Sequence, residues 1–219
     1  MITPFGEWAF LVELDDWRAA QSLAASIEAV PLEGVVEVVP GLRSLLFELD
    51  RRADAVAVRA AVEARVARGS AIRPSGRERR IPVVYGGEHG PDLADVAKLC
   101  GLGTDEVVAR HAAAEVHVLF DGFAPGFAYL GDLPEQLHVP RLATPRTRTP
   151  AGSVAVAGSM TGIYPAELPG GWRVIGATPV TLFDPGRRPP AYLVPGDRVR
   201  FEPLDVDAWE SRACPASDW

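Results

Sequence analysis

Two hydrophobic periods alternate through the first seventy residues. "AFLVEL" (9–14) is a short apolar run of strand type, whereas "DWRAAQSLAASIEAV" (16–30) brings Trp17, Ala20, Leu23, Ala24 and Ile27 onto one stripe at helical spacing. "GVVEVVP" (34–40) and "SLLFEL" (44–49) are β-rich runs joined at Pro40-Gly41. "DAVAVRAAVEARVAR" (54–68) is a second helix, opened by Asp54 as N-cap and carrying Val58, Val62 and Val66 four apart. The order β-α-β-β-α predicts a small α+β domain over residues 1–70. "GSAIRPSGRERR" (69–80) then loses all apolar period and holds arginines at 73, 77, 79 and 80. It reads as a linker over 71–80, its charges a solvated face or a site for an acidic partner.

From "IPVVY" (81–85) the pattern changes. "PDLADVAKLCGLGTDEVVARH" (91–111) holds two short helices around Gly101 and Gly103, which raises a helix-turn-helix. A DNA-reading second helix would start at Thr104 and place Asp105 and Glu106 where phosphates and base edges lie, with only Arg110 cationic. The pair is instead a helical hairpin packed on the following sheet. Of the 20 prolines, 12 fall between 121 and 200, which excludes helices there. Short alternating runs fit: "EVHVLF" (115–120), "SVAVA" (153–157), "WRVIG" (172–176), "VTLFD" (180–184), "AYLV" (191–194) and "DRVRFEP" (197–203). In the last, Val199 and Phe201 face one way and Arg198 and Arg200 the other. Residues 81–204 therefore predict a mainly β barrel or sandwich, and 205–219 a tail that is mobile unless Trp209 or Trp219 docks.

Composition narrows the partners. The 22 Lys+Arg against 29 Asp+Glu give a net charge of −7, which disfavours nucleic acid. The N-terminus lacks a basic segment and its apolar run breaks at Glu13, so neither a signal peptide nor a membrane span is expected, and the protein is expected in the cytoplasm. Cys100 and Cys214 are far apart and fit a reducing compartment without a disulfide framework.

Several chemistries are missing from the pattern. There is no phosphate-binding P-loop, "GLGT" (101–104) lacks the third glycine of a dinucleotide fingerprint, and Ser153 and Ser159 are not centred in a nucleophile elbow. His89, His111, His117 and His138 never pair at metal-ligand spacing, so no metal site is expected. What remains is the block from His111 to Phe183. Its glycines and prolines fix loop geometry and leave Tyr129, Arg141, Arg146, Tyr164, Trp172 and Thr178 to line a pocket. Two arginines beside rigid aromatics suit a carboxylate, phosphate or ureido group, because the planar guanidinium forks onto such oxygens. His111 ends a helix, where a cation is favoured anyway.

The motifs "GFAPGFAYL" (122–130), "PRLATPR" (140–146), "PAGSVAVAG" (150–158), "TGIYP" (161–165), "PGGWRVIGATP" (169–179) and "PGDRVRF" (195–201), with weaker matches at 6–13, 34–46 and 90–102, carry a resemblance. The chain resembles the family variously called allophanate hydrolase subunit 1, KipI or the B subunit of the bacterial 5-oxoprolinase, which is also the C and D part of the urea carboxylase carboxyltransferase domain. The resemblance implies an N-terminal α+β domain followed by a cyclophilin-like β-barrel. It also implies a heteromer with a larger carboxyltransferase-like subunit (KipA, or the 5-oxoprolinase C subunit), and a third subunit of LamB/YcsF type. Ala112, Met160 and Asp121 depart from the residues the family commonly has at these places, which leaves the substrate open.

Three activities follow from the resemblance. One is ATP-dependent opening of 5-oxoproline to glutamate, with ATP bound by or with the partner, since no nucleotide motif is present here. Another is carboxyl transfer to urea or a related amide, with the arginines holding the ureido or carboxylate group and His111 or Tyr129 managing protons. Lys98 is the sole lysine and sits in no biotinyl motif, so a biotin carrier would be a separate protein. The third is inhibition of a sensor histidine kinase, for which a surface suffices.

Overall fold

The computed structural model describes residues 1–69 and 76–211. Chain contacts divide it into two compact units, Met1–Ser75 and Gly76–Trp219. In the first, β1 (Ile2–Pro4), β2 (Ala9–Glu13), α1 (Trp17–Ala29), β3 (Val35–Pro40), β4 (Ser44–Leu49) and α2 (Ala55–Arg68) follow in order. The strands form one antiparallel sheet, β1-β2-β4-β3. Alternation puts Phe10, Val12, Leu45 and Phe47 on the face that meets Leu23, Ile27, Val58 and Val62 of the two helices. Each helix starts where an aspartate supplies the missing acceptor. Asp16 accepts from Ala19 N–H at 2.8 Å, and Asp54 from Val56 and Ala57 N–H at 3.0 and 3.1 Å. The strand β1 has no hydrophobic period of its own and exists by pairing with Phe10–Val12.

The second unit runs β5 (Glu78–Tyr85), α3 (Leu93–Cys100), α4 (Thr104–Ala113), β6 (Val116–Asp121), β7 (Ala128–Gly131), a 3-10 turn (Glu135–Leu137), β8 (Arg146–Thr149), β9 (Ser153–Ala157), β10 (Met160–Ile163), β11 (Leu168–Gly170), β12 (Arg173–Ala177), β13 (Arg198–Pro203) and α5 (Val206–Ser211). Seven strands close a barrel in the order β10-β7-β6-β13-β5-β12-β9, and β8 with β11 makes a separate ribbon. Closure leaves the barrel without an edge strand to protect. Ile81, Val116, Val118, Leu130, Val154, Val156, Ile175, Val199 and Phe201 fill its core, together with Val96 of α3 and Val107 of α4. Val199 and Phe201 point in, and Arg198 and Arg200 point to solvent, as the alternation predicts.

Two stretches depart from the sequence reading. "VTLFD" (180–184) and "AYLV" (191–194) are not strands; a single bridge, Phe183 to Ala191, joins them. Pro179, Pro185, Pro189, Pro190 and Pro195 break the ladder by removing donors. Glu78, Arg79 and Arg80, expected inside the linker, instead open β5, where they pair in parallel with Arg198, Val199 and Arg200. The buried Asp197 fixes this start, accepting from Arg77 N–H at 2.8 Å and from Arg79 Nε at 3.1 Å. Residues 71–75 of the expected linker and 212–219 of the expected tail lie outside the described residues. The tail's nearer half forms α5, whose Trp209 ring lies 4.8 Å from that of His89. Among the described residues no helix is long and apolar enough to cross a membrane.

Candidate functional site

The loop between β6 and β7 is locked by its backbone. Gly122 N–H donates to Phe127 O at 3.2 Å and Phe127 N–H to Ala124 O at 2.9 Å, a β-turn with Pro125 and Gly126 at its corners. Gly126 sits at φ +81°, and a Cβ there would lie 2.7 Å from that of Phe183. Phe123 itself has φ +68°, the centre of a γ-turn closed by Ala124 N–H on Gly122 O at 2.8 Å. The backbone thus turns Phe127 inward and leaves Phe123 57% exposed.

Phe127 is the hub of an aromatic plate. Its ring meets Tyr129, Tyr164 and Trp172 edge to face at 5.0, 5.5 and 5.8 Å, the geometry that pairs a ring's positive edge with a negative face. Tyr129 stacks on Phe120 at 4.4 Å and stays half-buried. Tyr164 and Trp172 are buried, with Ala155, Ala157 and Val174 beneath them. Strand β9 separates this cluster from the barrel interior, sending Val154 and Val156 to one side and Ala155 and Ala157 to the other. A Cβ on Gly170 would fall on the Tyr164 hydroxyl, so the ribbon packs against that side chain only because Gly170 has none.

The two arginines flank this plate. Leu142 N–H donates to Gly171 O at 2.7 Å, laying the 140–146 segment across the residue before Trp172. Arg146 Nη2 donates to Asp92 Oδ1 at 2.6 Å, while Nη1 is buried with no protein acceptor. Arg141 is exposed. Burial pushes the Tyr164 hydroxyl pKa up; the Trp172 backbone N–H and the positive charges of Arg141 and Arg146 pull against that shift.

Of the seven residues predicted from sequence, the structure gathers Tyr129, Arg141, Arg146, Tyr164 and Trp172 around this plate, with Tyr164 and Trp172 as its packed floor. Thr178 is buried, its N–H spent on Gly152 O at 2.9 Å and its hydroxyl oxygen on Val180 N–H at 3.3 Å. His111, expected from sequence to manage protons at a helix end, lies in the core. It is fully buried and stacked on Phe201 at 4.3 Å. Nδ1 lies 2.8 Å from the Tyr85 hydroxyl and Nε2 3.0 Å from Thr161 Oγ1. Thr161 spends its one proton on Ala155 O at 3.0 Å, so Nε2 must be the donor to Thr161 and Nδ1 the acceptor from Tyr85. Burial lowers the ring pKa to about 3. A neutral imidazole with both nitrogens engaged offers no proton to a ligand, and the helix C-terminus does not hold it charged.

Asp92 is the residue the sequence reading passed over. It stands in the "GPDL" segment as an ordinary helix-start aspartate, and only its partners, far along the chain, mark it. A groove of about 420 Å³ does lie on this unit, between Gly86-Gly87 and the start of α4 at Thr104 and Asp105, and none of the seven residues lines it. Among the described residues no group of His, Cys, Asp and Glu is arranged to hold a metal ion.

The chain is 47% identical over 212 residues to the 5-oxoprolinase B subunit of Escherichia coli O157:H7, covering 90% of this chain and 93% of that protein. The solved structure of TTHA0988 superposes with a TM-score of 0.78 at 35% identity, covering 94% of this chain but 40% of that one. The Kluyveromyces lactis urea amidolyase matches with a TM-score of 0.78 at 21% identity over 96% of this chain and 15% of its own, a likeness of fold. In these two solved proteins the matched region is one part of a longer chain. The carboxyltransferase domain model for subdomains C and D matches residues 1–193, and the chain belongs to that family.

Proposed function

We propose that this chain is the B subunit of a heteromeric, ATP-dependent 5-oxoprolinase that opens 5-oxoproline to glutamate in the cytoplasm. The observation that carries the reading is the near full-length match to a 5-oxoprolinase B subunit, 47% identical over 93% of that protein. Its two compact units are the small α+β domain and the cyclophilin-like barrel domain. It works with a larger carboxyltransferase-like subunit, the C subunit of such an enzyme, and a third, LamB/YcsF-type subunit. A lactam amide is a weak electrophile, so its hydrolysis is coupled to ATP, which leaves as ADP and phosphate. ATP binds at or with the partner. In this chain, Arg141 and Arg146 take an oxyanion of the reactants, a task suited to guanidinium groups. The Tyr129 hydroxyl serves as a proton donor, and Tyr164 and Trp172 keep the plate rigid.

Co-expression with the larger and third subunits, size exclusion, and an ADP-release assay test this. The complex is expected to co-elute and to release ADP on addition of 5-oxoproline, and not on addition of urea with a biotinylated carrier protein. Arg141→Ala is expected to lower turnover while shifting stability by less than about 0.5 kcal/mol, because an exposed side chain away from special features carries little of the fold. A complex stimulated by urea and carrier instead would replace this reading with carboxyl transfer. An isolated chain that lowers autophosphorylation of a histidine kinase, with no turnover in the complex, would replace it with regulation.

A further inference from the structure

The stretch "EAVPLEGVVEVVP" (28–40) sets three glutamates among aliphatic residues. Helix α1 stops at Ala29, because Pro31 cannot continue it, and the chain enters β3 through a turn in which Val35 N–H donates to Leu32 O at 3.1 Å. Strand β3 is the outermost of its sheet. Between it and α1 lies an open groove of about 430 Å³, whose floor of Ala24, Ile27, Leu32 and Val38 is packed on the core of this unit. Glu28 and Glu37 stand exposed at its sides, and among the described residues no cation lines it. Arg65 of α2 reaches the carbonyl end of α1, Nη1 donating to Ser26 O and Val30 O at 2.7 and 2.9 Å, outside the groove. A second hollow of about 560 Å³ shares Leu32 with the first and is lined by Glu33, Asp50 and Asp54, with Arg52 as its cation. Two carboxylates in the first and three in the second make five, against one guanidinium.

Covering an apolar floor is favourable, and the carboxylates around it set the sign of the charge that covers it. Addition of a strand to β3 is opposed, because the strand is bulged at Val36 and ends in Pro40, two features that spoil a hydrogen-bonding edge. The occupant therefore enters by its side chains. A second copy docked through the same groove would set carboxylates against carboxylates, in a chain whose net charge is already −7. We propose that the groove between α1 and β3 docks a segment of the larger carboxyltransferase-like subunit, one that presents aliphatic side chains flanked by Lys or Arg; this rests on the heteromer proposed above. The aliphatic groups fill the space over Ala24, Ile27 and Val38. The cations reach Glu28 and Glu37, and the acidic strip continues through Glu33 into the second hollow.

The test titrates the larger subunit into the full chain by calorimetry and compares amide hydrogen exchange over residues 24–40 in the chain alone and in the complex. In the wild-type complex the exchange of 24–40 is expected to slow, and Kd to rise as salt goes from about 0.05 M to about 0.5 M. The double variant Glu28→Lys with Glu37→Lys is expected to raise Kd about tenfold or more at about 0.15 M salt, because like charges brought together at an interface repel. Higher salt is expected to relieve part of that loss. Glu7→Lys with Glu63→Lys, at two exposed positions outside the groove, changes the net charge equally and is expected to leave Kd within about twofold, since charges away from the contact are screened. Val36→Ser, at a position 62% exposed in the groove wall, is expected to raise Kd about threefold or more through the lost aliphatic contact. Thermal unfolding checks that each variant is folded, and the wild-type exchange answers the question even where a variant is not. The proposal is overturned by a complex in which 24–40 exchanges as in the free chain, by a groove reversal no more harmful than the control pair, or by a Kd indifferent to salt. Slowed exchange of 24–40 in the chain alone as its concentration rises would put a second copy in the groove and overturn it equally. A larger subunit that does not bind the wild type removes the proposed heteromer and this inference together, whereas binding that leaves 24–40 unprotected removes this inference alone. A complex held through 24–40 yet inert toward 5-oxoproline upholds the docking and removes the proposed activity.

Discussion

Replacing His111 by Gln tests the buried Tyr85–His111–Thr161 chain through its pH dependence. The imidazole's pKa falls from an ordinary 6.5 to about 3, with burial as the cause. For a base held neutral in the fold, the unfolded chain binds the extra proton between these two values. Stability from this group is therefore complete above about pH 6.5 and is lost as pH falls toward about 3, at roughly 1.4 kcal/mol per pH unit. Between pH 7 and about pH 4.5 the loss is about 3 kcal/mol. Gln offers one donor and one acceptor but does not titrate, so at neutral pH it costs only an imperfect repacking, about 1–3 kcal/mol.

The quantity to measure is the stability gap between wild type and H111Q, since other groups titrate in the same range. Asp121 is one of them: partial desolvation, although the residue reaches solvent, and the like charge of Asp197 hold its carboxyl up at about 6. Its contribution has the opposite sign, gaining stability as pH falls, and it cancels in the difference. Urea titrations read by tryptophan fluorescence are suitable once Trp8 and Trp17 are changed to Phe, so that the signal no longer comes from the first unit. The gap is expected to shrink by about 3 kcal/mol on going from about pH 7 to about pH 4.5. A gap constant within about 0.5 kcal/mol would refute the assignment, because the ring would then take up its proton inside the fold and His111 would return to the list of acid–base candidates.

Two further outcomes follow from the loop that carries Phe127. Gly126→Ala places a Cβ at a left-handed φ and 2.7 Å from the Cβ of Phe183, and is expected to cost about 3 kcal/mol in a denaturation experiment; a variant as stable as wild type would contradict the turn geometry. Phe123→Gly and Phe123→Ala both remove the ring, but only Ala keeps the burden of a positive φ, so the Gly variant is expected to be the more stable by about 1 kcal/mol, and the reverse order would show that Phe123 does not hold this conformation in solution.

Local periodicity reached the elements whose residues carry their own signal. Strands β2, β4, β9 and β13 and helices α1 and α2 stand close to where the hydrophobic pattern put them. It did not reach β7, β8, β10 and β11, which are three or four residues long and lie inside glycine- and proline-rich motifs. These strands owe their conformation to partners. β10 has β9 on one side and β7 on the other, and among the described residues β8, reading "RTRT", pairs with β11 alone. The same holds for the candidate site. The residue types around the plate were visible, because few soluble segments place two arginines among so many constrained aromatics. Their division of labour was not, since whether Tyr164 is floor or contact depends on Phe127, Gly170 and Trp172 closing over it.

The aspartates show why. Asp16, Asp54 and Asp92 each stand at a helix start, and one local rule assigns all three to capping. It holds for Asp16 and Asp54, whose caps form at exposed positions. There the nearest backbone N–H has no competitor but water, and the short loop needed to reach it costs little entropy. Asp92 is buried, and within reach it has an arginine 54 residues away and a backbone N–H 82 residues away. A charge-assisted bond to a guanidinium is about twice as strong as a neutral one, and an ionised carboxylate out of water needs the stronger partner. The choice between cap and clamp is therefore decided by burial, which only the assembled barrel supplies. His111 follows the same logic: its partners Tyr85 and Thr161 lie 26 and 50 residues away. Exposed at a helix end it would titrate in the ordinary imidazole range near pH 6.5; enclosed between a phenol and a hydroxyl it stays neutral well below that.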